Sequence, residues 1–496
     1  MPEIRSIPAA SLLRSFWIVG GALTFFKIFV LVVSPGELGP DESQYWFWSK
    51  DFAFGYFSKP PLIAWVIGMT TGVFGNAEWA VRLSSPLFHF GTAAFLYITA
   101  QKLYGARIAF WVGLGWLTIP GVILSSYLIT TDASLLFFWS GALFLFLRIV
   151  ASEKAPALDF ALLGAMIGLG LLSKYAMIYF PAAIAFAVLF DPPVRQKILR
   201  PPLAMTAIIA TLLIAPNIWW NAQNDFQTLV HTAANANWAA PFSNPQKFLS
   251  FFAAQFAIVG IIPFAALLYM AARWQSIKAD GERATAQMRL LMIFALTPLV
   301  IVSLEAIISR AHANWAATAY PAAILLTTGF LFGEGKAWLA KTSVAIHLVF
   351  ILIFAIGISN FGLIDTVKLS HATKNIRGWA TQTSVISNKA AGFDAIVIDD
   401  RALMGTMLYY QGESAFEIVT IDSNARGDNH YEWFKAFDPE RHHRVLFVTT
   451  RNDDAHVEYR FKNIKPLGPQ TVDLGNGETR TYHLFDISGY FGPGAP

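Results

Sequence analysis

Two acidic residues, Asp41 and Glu42, stand side by side in the stretch GPDESQYWFWSK, directly after an apolar run that is long enough to cross a bilayer. A carboxylate in such a place can accept the proton of an attacking hydroxyl group. A well-placed base of this kind accelerates a reaction by about 10² to 10⁴. The pair is therefore a candidate for chemistry that takes place at a membrane surface.

A second set of ionisable and polar residues lies at the ends of other apolar runs. Charged side chains near hydrocarbon cost about 3 kcal/mol each on insertion scales, so they usually face a cavity or one another. Carboxylates and cations that share one membrane boundary indicate a site for a charged substrate. The residues are Lys59 in FSKPP, Arg82 in EWAVRLSSP, Asp132 in LITTDASLLFF, Lys174 and Tyr175 in LLSKYAM, and Arg310 and His312 in ISRAHANWAA.

Each of these residues also has an ordinary structural interpretation. Asp132 could be a helix N-cap that interacts with the helix dipole. Lys174 could extend its ammonium group to the membrane interface. The aromatic residues of the first loop are typical of an interfacial belt. The functional interpretation therefore depends on the whole set rather than on one member.

The composition places all of these residues in a membrane protein. Of the 496 residues, 55% are hydrophobic and only 14% are charged, and the mean hydropathy is +0.48, which is far more apolar than an ordinary soluble chain. The net charge of +4 is dispersed between apolar runs, so the sequence does not predict a nucleic-acid patch. The chain has no cysteine, which excludes disulfides and thiolate metal sites.

The apolar runs predict a bundle of about 11–13 transmembrane helices. The segment 60–74 is short and begins with a proline pair, which is typical of an interfacial or re-entrant helix, so it is left out of the count. The predicted spans lie near residues 14–34, 79–101, 107–124, 132–150, 157–173, 175–190, 203–220, 248–272, 290–308, 316–333 and 342–361.

The charges of the loops predict the orientation, and a change in the hydrophobic pattern after residue 361 predicts the domains. Basic residues such as Arg14, Lys197 and Lys336 fall on alternate loops, which the positive-inside rule makes cytoplasmic. After residue 361, short alternating runs (AIVIDD, FEIVTID, HRVLFVTT) and one helical stretch (RALMGTMLYYQG) predict a small α/β domain. The sequence thus predicts a transmembrane domain over 1–361, with an outer first loop at 35–78, and an outer α/β domain over 362–496.

Several motifs occur together in the order in which one enzyme family carries them. PDESQYW follows the first span, KPPL lies about 20 residues later, VRLSSPL precedes the next long span, and TDASLLFF and LLSKYAM follow. Over about residues 10–330, the sequence resembles bacterial glycosyltransferases of the GT-C fold. It is most similar to the branch that contains lipid A aminoarabinose transferases and lipopolysaccharide galacturonosyltransferases, with protein O-mannosyltransferases as more distant relatives.

The resemblance implies roles for individual residues. Asp41 matches the catalytic carboxylate of the first loop, and Asp132 matches the second conserved acid. Lys59 matches the lysine near the donor phosphate, Tyr45 the tyrosine that follows the acidic pair, and Lys174 the later lysine that faces the phosphate. The SRAHANW block occupies the place of a basic segment near the ninth to tenth span.

The sequence departs from the aminoarabinose transferases at two positions. Those enzymes commonly carry an arginine before the tyrosine and a glutamate before the KP pair, whereas this chain has Gln44 and Ser58. The missing arginine implies that phosphate contacts come from elsewhere. The missing glutamate weakens the case for a bound metal. We therefore expect no required cofactor and assign no metal ligands, although a divalent metal is compatible with these residues.

The resemblance implies transfer of a sugar, with inversion, from a polyprenyl-phosphate donor to lipid A, lipopolysaccharide core or another glycolipid. This would take place at the periplasmic face of the bacterial inner membrane. Because a phosphate is already a good leaving group, the enzyme needs cations rather than a general acid. Lys59 and Lys174, with Arg82 or Arg310, are the candidate cations.

On the acceptor side, Asp41 is the predicted base, and Glu42 and Asp132 would orient the acceptor or share charge. The expected partners are the donor, the acceptor and membrane lipids. Three alternatives stay open: a protein O-glycosyltransferase of the same fold, a transporter of a charged lipid-linked solute with Asp41 and Asp132 as proton carriers, and a purely structural membrane protein.

Overall fold

The computed structural model divides the chain into two compact units. The helical unit consists of Met1–Val32, Ala53–Ile63 and Arg82–Phe354, and the sheet unit of Val33–Phe52, Ala64–Val81 and Ala355–Pro496. The structure describes residues 8–236, 245–274, 282–309, 311–412, 416–422, 427, 429–453 and 457–492.

Helices make up most of the chain. The first are α1 Ala9–Val33, α2 Pro40–Trp48, α3 Leu62–Phe74, α4 Glu78–Arg82, α5 Ser84–Tyr104, α6 Ala106–Thr118, α7 Pro120–Tyr127, α8 Thr131–Ala151, α9 Ala157–Ser173, α10 Tyr179–Phe190 and α11 Pro192–Ile198. They are followed by α12 Leu203–Gln223, α13 Gln227–Ala236, α14 Pro245–Val259, α15 Ile261–Ala272, α16 Glu282–Ile308, α17 Tyr320–Gly333 and α18 Ala337–Ser359. The last are α19 Phe361–Thr366, α20 Trp379–Lys389, α21 Arg401–Tyr410 and α22 His430–Phe434. Short 3₁₀ helices lie at Tyr175–Ile178, Ala313–Ala319 and Ser370–Ile376.

Among the described residues, six helices are long and apolar enough to cross a membrane, or seven spans if the bent pair α6 and α7 counts as one. The sequence prediction of about 11–13 spans is higher because several predicted spans are shortened or divided. The predicted span 248–272 is divided at Gly260, whose φ of +99° ends α14 before α15 begins. The predicted spans 157–173 and 175–190 form the 17-residue α9 and the 12-residue α10.

The bend between α6 and α7 has a local cause in the sequence. The two helices are inclined by 54°, and Ile119 between them is extended, with φ −60° and ψ 141°. Pro120 follows, and a proline disfavours the helical conformation of the preceding residue while it suits the first position of the next helix.

The core of the helical unit surrounds α8, which is buried along most of its length. The ring of Trp139 lies 5.0 Å from that of Phe180, which in turn lies 4.9 Å from that of Phe294. Helices α9 and α12 approach closely because Gly164 and Gly168 form a small-residue stripe, a spacing that allows close helix packing in membranes. Two of the candidate residues lie at ends of this core: Asp132 is in the first turn of α8, and Lys174 is the C-cap residue of α9.

The sheet unit contains a five-stranded mixed sheet. The strands are β1 Ala395–Ile398, β2 Glu417–Val419, β3 Arg444–Thr449, β4 Phe461–Gly475 and β5 Glu478–Tyr490, in the order β2-β1-β3-β5-β4. β1 pairs parallel with β2 and β3, whereas β5 pairs antiparallel with β3 and β4. The predicted strands in AIVIDD, FEIVTID and HRVLFVTT and the predicted helix in RALMGTMLYYQG are confirmed as β1, β2, β3 and α21.

Parts of the first loop belong to the same unit as the sheet. The N–H of Leu38 donates to the hydroxyl of Tyr410 at 2.7 Å, and this hydroxyl lies 3.3 Å from Glu78 Oε1. Glu37 accepts a hydrogen bond from the N–H of Trp379, at the start of α20. These contacts hold α2, which carries the acidic pair, against helices of the α/β domain.

Candidate active site

The acidic pair lies in the first turn of α2, and its two carboxylates have different environments. Pro40 is the first helical residue after the N-cap Gly39, a position that suits proline because its missing N–H would have no helical partner. Glu42 is 5% exposed, and its Oε2 accepts a hydrogen bond from the N–H of Gly39 at 2.9 Å, which closes the first turn. The side chain of Asp41 is 65% exposed. Asp41 is therefore the member of the pair that a substrate can reach.

Arg401 contacts two side chains of α2. Its Nη2 donates to Asp41 Oδ1 at 2.8 Å, and its Nη1 donates to Gln44 Oε1. Burial opposes the charged form of Arg401, but the negative charge of Asp41 and the hydrogen bond to it outweigh burial, so the pKa of Arg401 lies above its ordinary value. A guanidinium thus stands beside Gln44, where the aminoarabinose transferases commonly carry an arginine.

Sequence reasoning missed Arg401, which is 360 positions from Asp41. The local pattern around Arg401 indicates only the start of a helix, since Asp400 accepts a hydrogen bond from the N–H of Leu403 at 2.8 Å as an N-cap. Gln44, in place of the family's arginine, predicted that another residue supplies a cation, but the sequence did not identify that residue.

Aromatic side chains of α2 pack against one another and against aromatic residues of α22. Tyr45 is 7% exposed, and its ring centroid lies 5.3 Å from that of Trp48. Phe47 lies 5.7 Å from His430 and 5.6 Å from Tyr431. Burial lowers the pKa of His430 to about 3 and raises the pKa of Tyr431, so both rings are neutral at physiological pH. Tyr45 therefore belongs to this packed layer and presents little surface to a substrate.

In the helical unit, Asp132 and Lys174 form an ion pair. Lys174 Nζ donates to Asp132 Oδ1 at 2.7 Å, and Asn314 Nδ2 donates to Oδ2 of the same carboxylate at 2.7 Å. The side chains of Asp132 and Lys174 are 10% and 21% exposed. The N-cap of α8 is Thr130, so Asp132 is not the N-cap of this helix. Lys174 contacts Asp132, so its ammonium group does not simply extend to the membrane interface.

The turn that carries Lys59 is linked to α12 through one polar residue, Asn217. The N–H of Tyr56 donates to the carbonyl of Lys59 at 3.2 Å, and Asn217 Nδ2 donates to the carbonyl of Phe54 at 2.7 Å. The hydroxyl of Tyr175 donates to Asn217 Oδ1 at 2.8 Å. Tyr175, which follows the ion-paired lysine in the chain, is therefore linked through one amide to the turn of Lys59.

The remaining predicted residues lie in other surroundings. Arg82 is 1% exposed, and its Cζ lies 5.1 Å from the ring centroid of Tyr127, so it takes part in packing. The ring of His312 lies 5.1 Å from that of Trp315. Arg310 lies outside the described residues.

The structure thus groups the predicted residues by unit. Asp132 and Lys174 are in contact in the helical unit, where Tyr175 is also linked to the turn of Lys59. In the sheet unit, Asp41 is held by Arg401. Across the part of the chain that the structure describes, no three His, Asp or Glu side chains gather as a possible metal-binding group.

The carboxylate of Asp41 and the ammonium group of Lys174 can each serve a different step of an acyl, glycosyl or phosphoryl transfer. A carboxylate that is held by one oxygen and exposed at the other can accept a proton. An ammonium group has three donors, so Lys174 can bind Asp132 and still offer two N–H groups to an anion.

Known proteins similar to this chain are glycosyltransferases. The family model for dolichyl-phosphate-mannose-protein mannosyltransferase matches residues 58–220. The chain is 31% identical over 486 residues to the lipid A galacturonosyltransferase RgtD of Rhizobium johnstonii, covering 96% of this chain and 98% of RgtD. It is 26% identical over 309 residues to the lipopolysaccharide core galacturonosyltransferase RgtA of the same organism, covering 60% of each protein.

The fold has a solved counterpart. The structure of ArnT from Cupriavidus metallidurans bound to undecaprenyl phosphate superposes with a TM-score of 0.64 and 17% identity, over 99% of this chain and 100% of that chain. At this identity the similarity shows the fold. Together with the identity to RgtD over nearly its full length, it places the chain among multi-pass membrane glycosyltransferases. The chain therefore belongs to the family of GT-C fold glycosyltransferases that includes the lipid A galacturonosyltransferase RgtD and the lipopolysaccharide core galacturonosyltransferase RgtA.

Proposed function

We propose that this protein transfers a uronic acid from a polyprenyl-phosphate donor to lipid A or the lipopolysaccharide core at the periplasmic face of the inner membrane. The observation that carries the proposal is the 31% identity over 98% of the lipid A galacturonosyltransferase RgtD. The undecaprenyl phosphate bound to ArnT, a protein of the same fold, supports a polyprenyl-phosphate donor.

In the proposed reaction, Asp41 is the general base. The acceptor hydroxyl attacks the anomeric carbon from the face opposite the phosphate, and a single displacement of this kind inverts the configuration. The proton of the hydroxyl passes to Asp41 as the new bond forms. The polyprenyl phosphate leaves with the electron pair of the broken bond and needs no proton from the enzyme.

Lys59 and Lys174 are proposed to bind the donor phosphate, whose negative charge increases as the bond breaks. Asp132 offsets much of the charge of Lys174, so Lys174 would act mainly by directed hydrogen bonds. Lys59 would then supply more of the net positive charge. Because these cations can stabilise the leaving phosphate, we also propose that the reaction needs no metal ion.

A transfer assay with purified protein in detergent tests the proposal. The enzyme is given labelled polyprenyl-phosphate galacturonic acid and lipid A, and mass spectrometry measures the product. We expect transfer without closed vesicles, unaffected by a chelator. A matched donor with galactose, which carries a hydroxymethyl group in place of the carboxylate, should react more slowly. Absence of transfer, combined with donor movement across sealed vesicles, would indicate a transporter instead.

The proposed orientation makes a separate prediction. Cysteines placed singly in this cysteine-free chain can be labelled by an impermeant maleimide. Glu440→Cys, on the exposed surface of the sheet unit, should be labelled from outside intact spheroplasts. Lys336→Cys, exposed between α17 and α18, should be labelled only after permeabilisation. The reverse pattern would show that the sheet unit faces the cytoplasm.

A further inference from the structure

Arg401 extends from a well-fixed point of the sheet unit. It is the first residue of α21, next to the N-cap Asp400. Oδ1 of Asp400 accepts hydrogen bonds from the N–H of Leu403 at 2.8 Å and from the hydroxyl of Tyr482, on β5, at 2.9 Å. The backbone of Arg401 is therefore attached both to its own helix and to the sheet.

The two arms of the Arg401 guanidinium have partners of unequal burial. Gln44, which accepts from Nη1, is 2% exposed. The side chain of Asp41, which accepts from Nη2 through Oδ1, is 65% exposed. Because the guanidinium is planar and rigid, fixing one arm on Gln44 also fixes the direction of the other. Oδ2 of Asp41 has no hydrogen-bond partner among the residues that the structure describes.

Two other charged residues of this region, Glu42 and Lys50, have partners of their own. Glu42 accepts a hydrogen bond from the helix N-terminus. Lys50, just after α2, donates to Asn76 Oδ1 at 2.6 Å and lies 4.6 Å from the ring centroid of Trp46. Arg401 is thus the cation in contact with Asp41 in the described part of the sheet unit.

We propose that Arg401 is a positioning residue for sugar transfer: it holds Oδ1 of Asp41 so that Oδ2 faces the acceptor hydroxyl. This inference rests on the proposed function of Asp41 as the base. The acceptor oxygen bonds to the anomeric carbon, the bond from that carbon to the phosphate oxygen breaks with its electron pair on the phosphate, and the hydroxyl proton passes to Oδ2. Arg401 acts through Asp41 and touches neither sugar nor phosphate.

The contact between Arg401 and Gln44 allows a test by exchange. Arg401→Gln should reduce kcat by about 10²-fold, the cost of a misplaced catalytic group, with KM values within about twofold of wild type. Arg401→Lys keeps the positive charge but lacks the planar guanidinium that contacts Gln44 and Asp41 together. Its kcat should therefore lie between those of Arg401→Gln and wild type. The double variant Gln44→Arg/Arg401→Gln restores a guanidinium to the same contact and should regain at least about tenfold of kcat over Arg401→Gln.

Arg441→Gln is the matched control, because it removes an exposed arginine that pairs with Glu417 at 2.9 Å in the same unit; its kcat should equal that of wild type. An exchange variant no more active than Arg401→Gln, or an Arg401→Gln enzyme with normal kcat, overturns the positioning role. If Arg401→Gln unfolds in a thermal assay, folded Arg401→Lys is compared with wild type instead: a reduced kcat with an unchanged KM supports the positioning role, and a kcat equal to that of wild type overturns it.

The failure of this inference is distinguishable from failure of the proposed function. Loss of transfer in Asp41→Asn with full activity in Arg401→Gln overturns the role of Arg401 alone. Full activity in Asp41→Asn overturns the proposed base, and the positioning role with it.

Discussion

Asp41→Asn should reduce the rate of transfer to a hydroxyl acceptor by about 10² to 10⁴, the largest functional effect that we expect from a single substitution. Asparagine has nearly the size of aspartate, and its Oδ1 can still accept the hydrogen bond that Arg401 donates at 2.8 Å. The substitution therefore removes basicity while it preserves the contact. Steady-state kinetics with labelled donor should show a loss in kcat larger than any change in KM.

Folding must be measured alongside the kinetics of Asp41→Asn. Because Asp41 is mostly exposed, thermal unfolding in detergent should be nearly unchanged. Asp473→Asn is a suitable control, since Asp473 is an exposed aspartate of the same unit that accepts a hydrogen bond from Gly475 N–H. Near-normal turnover by well-folded Asp41→Asn protein would rule out Asp41 as the base and direct attention to Glu42 or Asp132.

Lys174→Met should cause the largest combined loss of stability and donor binding. It leaves the carboxylate of Asp132, 10% exposed, without its cation, and removing one partner of a buried pair typically costs about 3 kcal/mol. Donor binding should also weaken, because the N–H groups proposed to contact the phosphate are lost. Thermal unfolding and binding of polyprenyl phosphate to detergent-solubilised protein measure the two effects.

A double variant separates the two consequences of losing Lys174. Asp132→Asn/Lys174→Met has no lone buried charge, so it should recover most of the thermal stability, while its affinity for polyprenyl phosphate should stay low. Full recovery of affinity in the double variant would show that Lys174 has only a structural role, and the phosphate site would then have to be sought at Lys59.

A second ion pair that joins α8 to α9 offers a matched control. Arg148 Nε lies 3.0 Å from Oδ2 of Asp159, whose side chain is 3% exposed. Arg148→Met should therefore destabilise the same two helices in a similar way. Its affinity for polyprenyl phosphate should remain that of wild type, since we assign no donor contact to Arg148. A comparable loss of affinity would mean that the phosphate assay reports helix packing rather than the site.

The alternation of apolar runs and polar turns made the elements of the C-terminal domain predictable. The strands at Ala395–Ile398 and Arg444–Thr449 and the helix at Arg401–Tyr410 follow from short apolar runs between polar turns. The count of spans was less predictable, because hydropathy does not register a break such as the one at Gly260, where a backbone with φ +99° separates two short apolar helices.

Some buried polar groups gave no sequence signal. Lys27 lies inside α1, where its neighbours in the chain are apolar. In the structure its Nζ donates to the carbonyl of Leu117 at 2.9 Å and to Ser126 Oγ at 3.1 Å. A lysine within a span is expected to find partners on other helices, but which helices provide them depends on how the bundle packs.

The sequence by itself determined that this is a multi-pass membrane protein with a C-terminal sheet domain and that Asp41, Asp132 and Lys174 are candidates, because composition, periodicity and motif order are properties of neighbouring residues. Only the tertiary structure decided their partners. It paired Asp132 with Lys174 and Asn314, the latter 182 positions away, and Asp41 with Arg401, 360 positions away. Contacts over such separations are set by the packing of whole helices and of the sheet, and no local pattern in the chain encodes them.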